Sequence, residues 1–162
     1  LPKNVWPKDT GLLEMDFPSR PPEQIEVTEL MENALGVPIM EAHLSRDMIL
    51  VLQTEKDVYE AVPDLDIVSK IPGCVNLIIT AQGREADFVS RYFTPGISIP
   101  EDPVTGSAHS SLIPFWAKRL GKEKLTAHQL SKRGGILYCQ DKGDRVKISG
   151  NAILYLAGEI YL

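Results

Sequence analysis

The side chains most able to do chemistry in this sequence stand in one short string, EDPVTGSAH, running from Glu101 to His109. Asp102 brings a carboxyl group that can hold or accept a proton. Thr105 and Ser107 bring hydroxyls that donate or accept hydrogen bonds, and Gly106 between them lets a ligand approach the backbone closely. The string leads directly into SSLIPFWAKRL, so it forms the entrance to a helix predicted over His109 to Leu120. A helix start carries unpaired N–H groups and a positive charge of about half a unit. Those features together make an anion pocket, with the Gly106 and Ser107 amides for the negative group and Asp102 beside them as a candidate acid. The same residue types also cap helices where no ligand binds, so residue type alone leaves both readings open.

The elements that must position this string follow from hydrophobic pattern and turn signals. Leu112, Ile113, Phe115, Trp116, Ala117 and Leu120 make the predicted helix apolar around most of its circumference, with Lys118 and Arg119 as its charged patch. Such a helix is buried nearly all round, so sheet must wrap it, and Phe115 and Trp116 read as core. Pro114 removes a hydrogen bond that a buried helix keeps only with outside support. Upstream, GLLEMDFP reads as a strand ending at Pro18, broken by SRPPEQ. Thr28 caps a short helix over Glu29 to Leu35 that Gly36 stops. VPIMEAHL and MILVLQT form an antiparallel hairpin about SRD, and EKDVYEAVPDLDIVSKI gives two short helical turns about Pro63. CVNLIITAQG is a buried strand. The strand ADFVSRYFTP sets Phe88, Ser90 and Tyr92 against Val89, Arg91 and Phe93. GGILYCQDKGDRVKISGNAILYLAGEIYL gives three strands with turns at DKGD and SGN. The sum is a strand-rich α/β or α+β chain with one dominant helix.

Composition narrows the function classes. A chain of 162 residues with 43% apolar and 24% charged residues has the size and mix of one globular domain that needs neither metal nor disulfide for stability. Cys74 and Cys139 lack any ligand spacing and read as two buried thiols in a reducing, cytoplasmic compartment, so no metal site is expected. The net charge of -5, with no run of Lys or Arg longer than a pair, argues against nucleic acid. In WAKRLGKEK the basic residues are interrupted by Glu123, and a solvated helix end accounts for them. No apolar run reaches the roughly 20 residues a membrane helix needs. No GxGxxG string and no Schiff-base lysine context is present, so no nicotinamide or pyridoxal cofactor is expected. His43 and His128 read as surface or strand residues. The opening LPKNVWPKDTG starts at Leu1 and has no clear period, so residues 1–10 read as a linker or the end of a preceding segment of a longer protein.

DFVSRYFTP, EDPVTGSAHSSLIPFWAKRLGK, LSKRGG and GDRVKISGNAILYLAGEIYL, in that order, resemble the C-terminal portion of the phenazine-biosynthesis PhzF-like family, relatives of diaminopimelate epimerase. The resemblance runs from about Gly11 onward. It implies a diaminopimelate epimerase-like fold, in which a mixed curled sheet wraps a central helix, twice over in the intact protein. Residues 11–150 would then be the C-terminal domain, and residues 151–162 a terminal strand that can complete the missing N-terminal domain. A strand left without its partner would invite association with another chain.

The implied activity is cofactor-free isomerisation by proton transfer on a small carboxylated metabolite; the best-understood member acts on trans-2,3-dihydro-3-hydroxyanthranilate. Asp102 and Ser107 match the family's polar residues that hydrogen-bond the substrate and its carboxylate. Thr105, Gly106 and Ser107 match its anion-binding helix start, and His109 supports that pocket or packs against the sheet. Arg133, Gly134 and Gly135 match a turn placed near the cleft, while Arg91 and Tyr92 match the strand before the motif. The family's proton-shuttling glutamate stands in an Asn-Leu-Ser-Glu-Thr-Ala stretch near a Cys-Gly-His-Ala turn, and neither string occurs in these 162 residues. This chain would supply half a cleft and be inactive alone. The distant relative's pair of catalytic cysteines is not matched, since neither Cys74 nor Cys139 lies in the Thr-Gly-Ser turn. Relatives are commonly dimers, so a homodimer is an expectation. A binding protein that keeps the fold without the chemistry is the alternative.

Overall fold

Local signals set the short elements. A computed structural model describes residues 5–7, 11–152 and 158. Two strands, β1 (Val5–Pro7) and β2 (Leu13–Pro18), pair antiparallel, so the stretch expected as linker contributes an edge strand. A three-residue strand, β3 (Glu23–Ile25), precedes helix α1 (Glu29–Leu35). The Thr28 hydroxyl accepts from the Met31 amide at the start of α1, and Gly36, at φ 66°, closes its other end. Strands β4 (Ile39–Leu44) and β5 (Met48–Leu52) form the expected hairpin through residues 45–47. Helix α2 (Glu55–Glu60) opens on a capping box between Thr54 and Asp57, and α3 (Leu65–Val68) opens on Asp64, which accepts from the Asp66 and Ile67 amides. Pro63 separates the two.

The remaining elements are strands β6 (Leu77–Gln82) and β7 (Phe88–Phe93), helix α4 (His109–Leu120), and strands β8 (Lys124–Gln129), β9 (Gly135–Asp141) and β10 (Arg145–Gly150). All described strands join one mixed sheet in the order β1-β2-β10-β9-β8-β7-β6-β5-β4-β3. The pairs β5–β6 and β7–β8 are parallel and the others antiparallel. Strand β8 is not among the strands expected from the sequence, which placed only its first residue, Lys124, at a solvated helix end and read His128 as surface or strand. Its alternation is real, with Leu125, Ala127 and Gln129 buried, but the polar Gln129 in a buried position obscures it.

The sheet curls around α4. Seven consecutive strands, from β2 to β5 in sheet order, each send at least one side chain into the cluster that surrounds α4, among them Phe17, Ile148, Leu137, Leu125, Phe88, Ile78 and Ile49. At about 4.8 Å per strand a flat sheet of seven would be roughly 29 Å wide. The helix is only about 10–12 Å across, so a flat sheet could not bring all seven to it. The alternate residues of β5, β6 and β7, such as Leu50, Ile79 and Val89, enter a second cluster under α1, α2 and α3. These central strands are therefore apolar on both faces and read as unbroken apolar runs in the sequence.

Helix α4 is held by packing and by two hydrogen-bond arrangements. Trp116 Nε1 donates to Thr80 Oγ1 at 3.0 Å, and that hydroxyl donates to the Val89 carbonyl at 2.7 Å. Phe88 stacks on the Trp116 ring at 5.8 Å between centroids. Pro114 cannot donate to the Ser110 carbonyl one turn back, and the Arg20 amide takes that acceptor instead at 2.9 Å. Burial of Leu112, Ile113 and Trp116, each at most 2% exposed, contributes roughly 5–9 kcal/mol against about 3 kcal/mol for an interior proline. Packing wins, and the helix runs unbroken to Gly121. Phe115 is only half-buried, edge-on to His43 and beneath the Arg119 guanidinium, which also pairs with Glu41 at 2.6 Å. Lys118 is exposed as expected. Cys139 is buried, but Cys74 is half-buried rather than fully so. The expected third C-terminal strand falls mostly on residues 153–157 and 159–162, outside the described residues.

Candidate active site

The motif loop is tied down at nearly every residue before it enters α4. Arg91 grips both oxygens of Glu101 at 2.7 and 3.0 Å, and Phe93 bridges to Glu101 across a short antiparallel pairing. The Asp102 amide donates to the Tyr92 carbonyl at 3.0 Å. On the other side Gln129, 1% exposed on β8, donates from Nε2 to the Asp102 carbonyl at 2.7 Å and accepts the Thr105 amide at 2.7 Å. Ser131 Oγ donates to the Pro103 carbonyl at 2.7 Å. The Thr105 hydroxyl donates to Asp102 Oδ2 at 2.5 Å. Among the described residues no hydrogen bond reaches Asp102 Oδ1. The carboxyl group is thus oriented through one oxygen and half-buried.

Helix α4 differs from the three short helices at its start. Each of those has a side-chain cap, whereas Ala108 at the α4 start provides none and no acidic residue lies in the first turn. Asp102, Thr105 and Ser107 do not cap it: the Asp102 carboxylate takes the Thr105 hydroxyl, and the Ser107 hydroxyl accepts from Arg46 Nη2 at 3.0 Å. The amides of Gly106, Ser107 and Ala108 donate to no acceptor among the described residues. Two open cavities meet at this entrance. One of about 380 Å³ lies between Met15, Phe17, Arg20, Arg46, Gly106 and Ser107. The other, about 570 Å³, is walled by Leu13, Met15, Val104, Gly106 and the Arg133-Gly134-Gly135 turn. Unpaired amides and the guanidinium groups of Arg20, Arg46 and Arg133 give this region a positive field, with no carboxylate among the described residues of either wall.

The structure thus brings Gly106, Ser107, Arg133, Gly134 and Gly135 around one entrance, with Asp102 and the buried Thr105 behind them, lining neither cavity. Gly135 is required by space: a Cβ there would sit 2.4 Å from Val104 Cγ2. His109 lies apart from the cavities, fully buried, with Nδ1 2.8 Å from the Thr105 carbonyl and Nε2 without a partner among the described residues. A carbonyl can only accept, so Nδ1 carries the proton. Burial holds this imidazole down to about 4, against a weaker opposing effect of the Thr105 carbonyl. Tyr92 faces α4, and its phenol, pushed up to about 12 chiefly by burial, accepts from Arg46 at 3.4 Å. Arg91 points to the opposite face, where Glu101 and the carbonyls of Val58, Tyr59 and Ala61 occupy it. His43 and His128 lie on β4 and β8. Burial raises the Cys74 thiol to about 11 and pushes that of Cys139 up as well.

Two residues of this region carried no signal in the sequence reading. Arg46 sits in a hairpin connection, and Gln129 is 24 residues from its partner Thr105. Only the alternation of β8, which places Gln129 inward, could have pointed to the second.

The phenazine biosynthesis-like family PhzC-PhzF matches residues 6–158. A Pseudomonas aeruginosa protein described as an uncharacterized isomerase is 46% identical over 151 residues, covering 93% of this chain and 58% of the relative. A rat phenazine biosynthesis-like domain-containing protein is 35% identical over 162 aligned positions, covering 88% of this chain and 55% of that protein. Among solved structures, a PhzF-family phenazine biosynthesis protein from Enterococcus faecalis superposes with a TM-score of 0.90 at 46% identity, over 98% of this chain and 60% of the other. A Bacillus anthracis protein of similar description shares the fold, with a TM-score of 0.68 at 14% identity, over 91% of this chain and 60% of its own. The chain therefore spans somewhat more than half the length of the relatives it matches.

Proposed function

Since the chain belongs to the phenazine biosynthesis-like PhzC-PhzF family, with its α+β epimerase-like fold, we propose that the intact protein is a cofactor-independent isomerase. Its substrate is a small carboxylated metabolite, isomerised by proton transfer. The observation that carries this reading is the uncapped α4 entrance, where Gly106 and Ser107, whose amides donate to no acceptor among the described residues, line cavities beside the Asp102 turn. In this proposal the substrate carboxylate binds those amides and the Ser107 hydroxyl. Asp102, held by Thr105 through Oδ2, presents Oδ1 to a polar group of the substrate. The Arg133-Gly134-Gly135 turn forms the far wall. His109 acts at one remove, fixing the Thr105 carbonyl rather than touching substrate.

The proton-shuttling group lies outside these residues in this reading. A base must come within hydrogen-bond reach of the proton it moves, and the resemblance assigns that task to a glutamate of a domain this sequence does not contain. Residues 11–150 are then one half of a two-domain enzyme, and the chain alone has no turnover.

The test is solvent exchange. The intact protein, incubated in deuterated water with a panel of small carboxylates, should incorporate deuterium at a substrate carbon, and Asp102→Asn and Ser107→Ala should each slow this by about 100-fold or more. Incorporation at wild-type rate in both variants would remove the assignment. A second reading, a binding protein without chemistry, is favoured by one observation: the backbone of Asp102 is pinned at both its amide and its carbonyl, as a purely structural turn would be. Carboxylate binding with no exchange by the intact protein would select it.

A further inference from the structure

The smaller cavity at the α4 entrance contains a feature that neither the family resemblance nor the motif accounts for. Arg46 reaches across from the β4–β5 connection, and its Nη2 lies 3.0 Å from Ser107 Oγ, 61 residues away in sequence. A long side chain on a surface turn ordinarily samples many rotamers, but this one is braced from behind. Its Nε and Nη2 both donate to Asp47 Oδ2, at 3.2 and 2.7 Å. Asp47, only 4% exposed in its side chain, is locked in turn by Asn76 Nδ2 on its other oxygen at 2.9 Å. Asn76 immediately precedes β6, so the brace is anchored in the sheet.

This bracing uses one edge of the guanidinium and leaves Nη1 with no partner among the described residues. Two N–H donors remain beside the cavity that Gly106 and Ser107 line. Arg20 lines the same cavity, but no side chain among the described residues fixes its guanidinium. The wall between them is apolar, formed by Met15, Phe17 and Pro18.

We infer that Arg46 is a specificity-determining residue of the α4 entrance: its braced guanidinium positions the Ser107 hydroxyl and selects a carboxylate carried on an apolar body over the matching neutral amide. This rests on the reading of the entrance as an anion site given above. The braced guanidinium suits a carboxylate because its free Nη1 keeps two charge-assisted N–H donors in a fixed plane beside the Ser107 hydroxyl. Pre-organisation favours Arg46 over Arg20, since a side chain already held loses little freedom when the ligand arrives. The Asp47 partner neutralises part of the charge, so discrimination comes from placed donors as well as from net charge.

The full chain, labelled with ¹⁵N, is titrated with sodium benzoate and with benzamide while the backbone amides are followed by NMR. Benzoate is expected to shift the Gly106, Ser107 and Ala108 amides of the wild type and to bind at least about tenfold more tightly than benzamide. Arg46→Gln should weaken benzoate about tenfold and abolish that discrimination. Arg46→Lys, which keeps the charge without the braced planar donors, should fall between, and Arg20→Gln should lose less than Arg46→Gln. Arg46 is 44% exposed in its side chain, and unchanged amide positions away from the cavity report that the variants are folded. Wild-type amides unmoved by benzoate would overturn both this inference and the anion-site reading. Benzoate that shifts those amides but binds wild type and Arg46→Gln within twofold of each other, or no more tightly than benzamide, would overturn the inference alone.

Discussion

Acidification should destabilise this fold through one buried imidazole. His109 is wholly buried under the motif turn, its Nδ1–H donating to the Thr105 carbonyl and its Nε2 without a hydrogen-bond partner among the described residues. A second proton would have to enter at Nε2, in an apolar site with nothing to receive its hydrogen bond. The group accordingly titrates at about 4 in the fold, against about 6.5 in an unfolded chain. A depressed histidine leaves the unfolded state holding more protons between those values, so stability must rise with pH across that window. The contribution is complete above about pH 6.5 and is lost as pH falls towards 4. With 1.36 kcal/mol per unit, the loss amounts to about 3 kcal/mol. His109→Asn keeps an N–H able to reach the Thr105 carbonyl but cannot titrate. Urea unfolding of both proteins, at closely spaced pH values from 4 to 7.5, isolates the effect, because the carboxylates that also titrate at the acid end are common to both. The gap between the two stabilities should change by about 3 kcal/mol across the window, in favour of the variant at low pH. Curves that stay parallel to within about 0.5 kcal/mol would refute the reasoning and mean that the site admits water or a charge.

Other perturbations probe the supports of the same turn. Gln129→Leu leaves the buried Thr105 amide without an acceptor and should cost about 2–3 kcal/mol by urea unfolding. For a domain of this size that is roughly 4–12 °C in Tm by calorimetry. Gly135→Ala drives a methyl against Val104 and should cost about 1–3 kcal/mol, most of it recovered when Val104→Ala is made alongside. Trp116→Phe removes the indole N–H from Thr80 and part of the core under α4, with an expected loss of about 2 kcal/mol by chemical denaturation.

Much of the scaffold was legible because its signals are local. Thr28 and Gly36 marked the two ends of α1 and the structure uses both, while the two turns expected about Pro63 form as α2 and α3, opened by the Thr54 to Asp57 box and by Asp64. The span of α4 followed from its nearly continuous apolar surface, and Pro114 signalled the need for support, but the supporting donor, the Arg20 amide, lies 90 residues earlier. Strands β1 and β3 escaped because three residues show no periodicity, and β8 because Gln129 is polar yet buried. The candidate site divides the same way. Residues of the EDPVTGSAH string were visible as a group, whereas Arg46 and Gln129 join it only through pairings across the sheet, which no single stretch encodes.

The central claim is that the α4 entrance binds a negatively charged group beside Asp102. Crystals of the intact protein soaked in a small carboxylate test it directly. The ligand's oxygens are expected within hydrogen-bond distance of the Gly106 and Ser107 amides, with Asp102 close to the ligand. A carboxylate found elsewhere, with those amides turned inward onto protein acceptors, would contradict it.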